Sequence, residues 1–189
     1  TAEALRANRS GALRRMLVAG LANTDDRVAR DEPVSPAFLF ALLLWPAYCR
    51  ALMGLQARGM QLEEAQRRAA DQVTLRQLST VALPRRFSQP MQEIWLLQSR
   101  FATRQRKRVF RMLAHPRFRA AFDFLNLRLA ASDEHAADVA FWRDAQRQSG
   151  DELAATLEAS RAVAGEGEPD SAPRKRRRRR RRTGSASAE

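Results

Sequence analysis

Apolar residues recur at helical spacing almost without a break up to about residue 163 of this 189-residue chain. Between them lie no runs of alternating β-branched residues and no Asn-Gly or Asp-Gly pair of the kind that closes a hairpin. A chain patterned in this way can bury its apolar side chains by packing helices, and it offers nothing from which to build a sheet. The sequence therefore predicts an all-α fold of about six to eight helices, with residues 1–150 as a helical body.

Prolines and capping residues divide this pattern into separate helices. Ser35-Pro36 supplies an N-cap followed by proline at the first helical position, and Pro46 predicts a kink or a split in the helix that follows. Gly59 is placed to end that helix, because glycine readily adopts the left-handed conformation of a C-cap. Residues 61–82 form the next amphipathic segment, and Leu83-Pro84 stops it.

The second half of the body is punctuated in the same manner. Ser88 is predicted to open a helix with Pro90 in its first turn. The pair His115-Pro116 separates a helix over residues 103–113 from one over residues 117–131. Ser132 then caps the last helix of the body, which extends to about residue 148.

Beyond the body the composition changes. Residues 151–164 are predicted to form a weakly attached helix, and residues 165–189 a disordered tail, because a low-complexity, self-repelling segment has too little to bury. The longest apolar run, residues 37–49, is shorter than a bilayer span and typical of a buried core helix. Cys49 is the only cysteine, and no signal peptide is evident. A soluble cytoplasmic protein is the simplest expectation.

Positive charge is concentrated in two places. The net charge is +13, and residues 85–119 alone contain ten Arg or Lys against one acid, Glu93. Charge on an ordinary solvated surface is dispersed, so this concentration predicts a polyanionic partner, with nucleic acid first and an anionic membrane surface second. Nearly all the cations are Arg, which suits contact with phosphate, although a GC-rich coding sequence would produce the same bias. The cations of the tail are Arg174, Lys175, Arg176, Arg177, Arg178, Arg179, Arg180, Arg181 and Arg182.

The segment RFATRQRKRVFRML, residues 100–113, contains six cations and no acid. If it forms one helix, its charged and apolar residues fall on opposite faces. Like charges on one face cost roughly 0.2–0.5 kcal/mol per pair unless an anionic group lies opposite. Most charged helix faces are only solvated and screened by salt, and it is the concentration of charge in this segment that favours a polyanion site. The predicted cationic face comprises Arg104, Lys107, Arg108 and Arg111. The predicted apolar face comprises Phe101, Val109, Met112 and Leu113.

Side chains that could carry catalysis are sparse. The adjacent acids Asp25-Asp26, Asp31-Glu32 and Glu63-Glu64 would point about 100° apart on a helix and make poor metal clamps. His115 and His135 have no Cys or carboxylate at ligand spacing, so a turn and a helix surface are their expected places. We therefore expect no catalytic residue, metal site or cofactor in this chain, and no activity from it alone.

Three segments resemble the C-terminal half of the bacterial poly(A) polymerase I family. They are ANTDDRVARDEPVSPAFLFALLLWP (22–46), LPRRFSQPMQEIWLLQSRF (83–101) and HPRFRAAFDFLNLRL (115–129). The resemblance spans about residues 12–148, and the tail is similar in composition only. The middle segment is the most specific, because the related tRNA nucleotidyltransferases share the catalytic head of this family but usually lack that segment.

The resemblance implies a polynucleotide adenylyltransferase that adds AMP from ATP to RNA 3′ ends, using magnesium held by a catalytic head that this sequence does not contain. The portion present would hold RNA, with RNA-decay proteins as further partners and no membrane. Phe87 and Trp95 could stack on bases, although the core is the favoured place for each. The candidate RNA-binding residues are Arg85, Arg86, Arg100, Arg104, Lys107, Arg108, Arg111, Arg117 and Arg119.

Two other functions remain open from the sequence. One is a stand-alone, non-catalytic adaptor that binds RNA or DNA and recruits partners. The other is a structural module that docks on a ribonucleoprotein mainly through its tail.

Overall fold

The computed structural model describes residues 2–78 and 83–163, and the predictions made for the arginine-rich tail lie outside that range. Eight α-helices and two short 3-10 turns account for most of the described residues, which contain no strand, and the all-α prediction is confirmed. The helices are α1 (Ala2–Ala29), α2 (Pro36–Gln56), α3 (Leu62–Leu78), α4 (Arg85–Gln98), α5 (Arg106–Leu113), α6 (Phe118–Ala131), α7 (Ala136–Ala145) and α8 (Gly150–Val163), with 3-10 turns at Ser99–Ala102 and Asp133–His135.

The start of α2 is as predicted, but one of the two effects predicted for Pro46, a split of the helix, is not seen. Pro36 is the first helical residue, although the Ser35 side chain in the N-cap position makes no capping hydrogen bond. Pro46 does not split the helix, which continues to Gln56. The proline removes one backbone hydrogen bond. Buried side chains on both sides of it, Trp45 and Tyr48, hold the two halves against the same core.

Two helices end in a residue with left-handed backbone conformation. Gly59 follows α2 with a φ of +83°, and the N–H of Met60 donates to the carbonyl of Leu55 at 3.3 Å, as in a Schellman motif. The predicted C-cap glycine is thus confirmed. Asp31 takes the equivalent place after α1, with a φ of +55°. Aspartate is one of the few residues besides glycine that tolerates this conformation.

α4 begins earlier than predicted. Its first residue is Arg85, with Pro84 in the N-cap position. Ser88 is buried inside the helix and does not cap it, and Pro90 lies beyond the first turn. A Pro-Arg-Arg start is compatible with the helix because proline at this position gives up an N–H that would have no intrahelical partner.

The core consists of two hydrophobic clusters. The first is built mainly from α2, α3 and α4, with Met16 from α1 and Phe124 from α6. Trp95 lies at its centre, fully buried, with its ring stacked on Tyr48 at 4.8 Å and its Nε1–H donating to the carbonyl of Ala41 at 2.9 Å. The core placement favoured for Trp95 is confirmed.

The second cluster joins the C-terminal helices. Phe101 packs edge-on against Trp142 of α7, with ring centroids 5.5 Å apart. α5 contributes Val109 and Met112, and α8 contributes Leu153 and Leu157. α4 and α6 place residues in both clusters, so these two helices connect the two parts of the core.

α2 is, by length and composition, long and apolar enough to cross a membrane. With 21 residues it is longer than the apolar run on which the length argument was based. Helices in the core of soluble proteins meet the same criteria, and Ala41, Leu42, Trp45 and Tyr48 of α2 are buried within this fold.

Candidate nucleic-acid interface

The cationic segment over residues 100–113 is not one helix. Ser99–Ala102 form a 3-10 turn, Thr103 is extended with a ψ of 142°, and α5 begins only at Arg106. Phe101 is completely buried in the second cluster, and this anchor draws the preceding turn away from the axis of α5. The predicted four-residue cationic face is therefore wrong, because Arg104 precedes the helix.

Arg104 makes internal contacts. Its Nη2 lies 2.6 Å from Oδ1 of Asp138, and its Nη1–H donates to the carbonyls of Phe101 at 2.7 Å and Thr103 at 3.1 Å. The guanidinium carbon lies 4.1 Å from the centre of the Phe141 ring. Arg104 thus fastens the 3-10 turn to α7, and its charge is neutralised within the protein.

α5 keeps the amphipathic character expected of it. Val109 and Met112 are buried in the second cluster, whereas Lys107, Arg108 and Arg111 are exposed. The helix contains no acidic residue. Arg108 and Arg111 form no ion pair within the part of the chain that the structure describes. We call Lys107, Arg108 and Arg111 the α5 cationic face.

Arg106 lies beside this face and has a different role. Its Nη1 is 3.3 Å from a carboxylate oxygen of Glu158 on α8, in an exposed ion pair. The contact links the start of α5 to the helix that follows α7. Such exposed pairs contribute roughly 0–1 kcal/mol, so Arg106 adds little to stability.

The cations ahead of α5 differ in their surroundings. Arg85, Arg86 and Arg100 are exposed. The guanidinium carbon of Arg86 lies 4.8 Å from the centre of the Phe87 ring. Phe87 is only half-buried and packs against the first cluster, so one of its sides is occupied by the core.

Arg117 and Arg119 are engaged by acids. Arg117 Nε lies 3.2 Å from Glu93 and joins the start of α6 to α4. Arg119 Nε lies 3.3 Å from Asp123, one turn along the same helix. Burial raises the pKa of Asp123 and the neighbouring Arg119 opposes that rise. Both arginines keep exposed surface, but each already has a carboxylate partner.

Arg128 was not singled out by the sequence, yet it is the most unusual cation of the fold. It lies inside α6, with its Nη1–H donating to Oε1 of Gln98 at 3.2 Å and its guanidinium carbon 5.3 Å from the Trp45 ring centre. Burial lowers the pKa of Arg128, and the nearby Cys49 opposes that shift. The only available signal was a lone arginine within the apolar stretch LNLRLAA.

The two histidines do not form a metal site. His115 lies in the turn before α6, where its Nδ1 accepts from the backbone N–H of Arg117 at 3.1 Å. His135 is partly buried in a 3-10 turn, and burial, together with the charge of Arg128, lowers its pKa. No group of three His, Cys, Asp or Glu side chains that could hold a metal ion occurs among the described residues. These side chains do not fit a magnesium site, so no step through magnesium is assigned to them.

Comparison with known proteins identifies the family to which this helical domain belongs. Residues 58–183 match the family described as "Polymerase A arginine-rich C-terminus". The chain belongs to this family. The matched range includes α3 to α8, and therefore the α5 cationic face and every candidate RNA-binding residue named from the sequence in the folded part.

Individual relatives agree with the family match. Poly(A) polymerase I of Salmonella typhi is 38% identical over 122 residues, which cover 64% of this chain and 26% of the relative. Poly(A) polymerase I of Escherichia coli O157:H7 has the same identity and coverage. The Haemophilus influenzae protein of that name is 31% identical over 140 residues, covering 73% of this chain and 31% of the relative. The chain thus spans about a quarter to a third of the length of these curated relatives.

Proposed function

We propose that this chain is the RNA-binding portion of a cytoplasmic poly(A) polymerase that adds AMP from ATP to RNA 3′ ends, as part of RNA polyadenylation and decay. The observation that carries the proposal is the α5 cationic face. Lys107, Arg108 and Arg111 are exposed on a helix that contains no acidic residue in its own sequence, and the opposite side of that helix is buried. The names of the relatives, poly(A) polymerase I, support RNA as the polyanion.

The geometry suits contact with an RNA backbone. Val109 and Met112 fix α5 to the second cluster, so the three cations are presented on a rigid support. Guanidinium groups contact phosphate oxygens through two parallel hydrogen bonds, and contacts of this kind position a strand without reading its sequence. Arg104 is not among the proposed RNA contacts, because its guanidinium group pairs with Asp138. Arg100, exposed on the 3-10 turn before α5, would extend the cationic track.

The tail would act differently from the helix face. Residues 174–182 are all cationic, and a run of like charge attracts a polyanion over a distance set by ionic strength. We therefore propose that the tail raises the rate of association, while the α5 cationic face determines how long RNA stays bound.

The test is RNA binding over a salt series. Replacing Lys107, Arg108 and Arg111 together by Gln removes up to three phosphate contacts, and each contributes roughly 0.7 to the log–log salt slope on single strands. We expect the slope to fall by up to about 2 and affinity to fall alike for all RNA sequences. Deleting residues 174–182 should mainly lower the association rate.

A matched control removes the same charge elsewhere. Arg30, Arg67 and Arg68 are exposed cations paired with acids of their own segments, so their triple Gln variant loses three charges away from α5. Equal loss of slope in both triple variants would show that only net charge matters, and the α5 cationic face would then be ordinary solvated surface. DNA bound as well as RNA would favour the adaptor function instead.

A further inference from the structure

A cleft lies between α2 and α3, far along the chain from α5. Its volume is about 380 Å³. The floor is apolar and includes Ala51, Leu55 and Val73. The rim carries Arg50 from α2, Arg58 from the turn that follows α2, and Arg76 from α3. None of the described residues that line it is acidic.

The positive charge of Arg50 and Arg58 is not offset by any acid in α2. α2 contains no Asp or Glu from end to end. Arg50 in α2 and Arg58 in the turn after it form no ion pair within the described ranges. By contrast, Arg67 and Arg68 on α3 each pair with a glutamate one turn earlier. The rim of the cleft thus differs from the neighbouring arginine surface of the same helix pair.

Gly54 leaves the middle of the cleft open. It lies between Arg50 and Arg58 in the sequence, and a Cβ added there would meet no atom within 4 Å. A side chain at this position could therefore fill the space between the two arginines without displacing anything. Glycine costs an α-helix roughly 0.5–1 kcal/mol relative to alanine, so the packing of α2 does not explain its presence.

We propose that this cleft binds one phosphate-bearing nucleotide unit, with the phosphate between the guanidinium groups and the base or ribose on the apolar floor. A volume of 380 Å³ is at the small end of the roughly 300–1000 Å³ typical of small-molecule sites. Arginine guanidinium groups can contact phosphate oxygens through two parallel hydrogen bonds. A free nucleotide and a nucleotide within an RNA strand share this chemistry. None of the residues that line the cleft belongs to α5, so the site lies outside the α5 cationic face on which the proposed function rests.

The experiment is carried out in the Lys107, Arg108 and Arg111 triple Gln variant, so that the α5 cationic face cannot account for binding. Three probes are titrated: AMP, a five-nucleotide single-stranded oligoadenylate and inorganic phosphate. Gly54→Leu fills the cleft, and the Arg50→Gln, Arg58→Gln pair removes two of its three charges and leaves Arg76 in place. The Arg67→Gln, Arg68→Gln pair is the matched control on α3.

We expect AMP or the oligoadenylate to bind the background variant, and both cleft variants to weaken that binding at least tenfold while the α3 control leaves it unchanged. Tighter binding of the oligoadenylate than of AMP identifies an RNA strand as the source, and the reverse identifies a free nucleotide. If Gly54→Leu does not fold, the arginine pair carries the test. Unchanged binding in the arginine pair overturns the proposal, as does inorganic phosphate binding as tightly as AMP.

Discussion

Arg104 and Arg108 are four residues apart in sequence and should respond in opposite ways to the same substitution. Arg104→Met removes the ion pair with Asp138, the hydrogen bond to the Phe101 carbonyl and the contact with the Phe141 ring. A charge-assisted hydrogen bond contributes about 1.5–3 kcal/mol when buried, but both partners of the ion pair keep some exposure, so about 1 kcal/mol is appropriate for it. The contact with the aromatic ring adds roughly 0.5–1 kcal/mol.

With the hydrogen bond to the carbonyl included, Arg104→Met should lower the free energy of unfolding by about 2 kcal/mol. In a chain of this size, that loss corresponds to a melting temperature lower by about 4–8 °C. Arg108→Met removes no side-chain hydrogen bond or ion pair seen among the residues that the structure describes, so it should change the free energy of unfolding by less than about 0.5 kcal/mol. The assays are thermal melting and RNA binding well below the melting temperature. Arg104→Met should melt early yet bind RNA nearly as the parent does, and Arg108→Met should show the reverse.

A double-mutant cycle with Asp138→Asn isolates the ion pair. The coupling energy of two residues in contact is about 0.5–3 kcal/mol, whereas the Arg108 and Asp138 substitutions should be additive. If Arg104→Met melts at the parent's temperature and loses RNA affinity as Arg108→Met does, then Arg104 is a phosphate contact. The assignment of its charge to Asp138 would then be wrong.

Three further outcomes follow from the structure. Gly20→Ala should destabilise the chain by roughly 1–3 kcal/mol in urea unfolding, despite the better helix propensity of alanine, because the added methyl meets the buried side chain of Leu42. The pKa of His135 is lowered in the folded state, so the folded state binds a proton less readily than the unfolded chain does. The free energy of unfolding should therefore fall as the pH drops from about 7.5 through the unfolded pKa of about 6.5. His135→Gln should flatten this dependence in melting curves. The purified chain should not extend an RNA primer given ATP and magnesium, and robust tailing would reveal an active site that the described residues do not display.

Local signals predicted the fold class and several of the helix boundaries. The His115-Pro116 break between α5 and α6 was predictable because proline constrains the residue before it. The C-cap at Gly59 was predictable because left-handed conformation favours glycine. Of the kink or split predicted at Pro46, the split does not occur, because the cost of the proline is local and the packing of Trp45 and Tyr48 that offsets it comes from tertiary structure.

The candidate interface was only partly predictable. Helical spacing correctly grouped Lys107, Arg108 and Arg111, but it also included Arg104. No local sequence signal predicts that Thr103 is extended and ends the helical pattern there. The partner that neutralises Arg104 lies 34 residues further along the chain, beyond the reach of any periodicity argument. The cleft between α2 and α3 escaped notice for a similar reason, since it exists only where two helices meet.

The two-part core has a consequence for how the molecule opens. α5, α7 and α8 contribute only to the second cluster, whereas α2 and α3 contribute only to the first. Regions of this kind can open as separate cooperative units, each with its own free energy. Amide hydrogen exchange should then divide the chain into an α2–α3 unit and an α5–α7–α8 unit, with α4 and α6 tracking the slower of the two. A ligand held by one unit would slow exchange there first, so exchange could report which half of the molecule is occupied without any mutation.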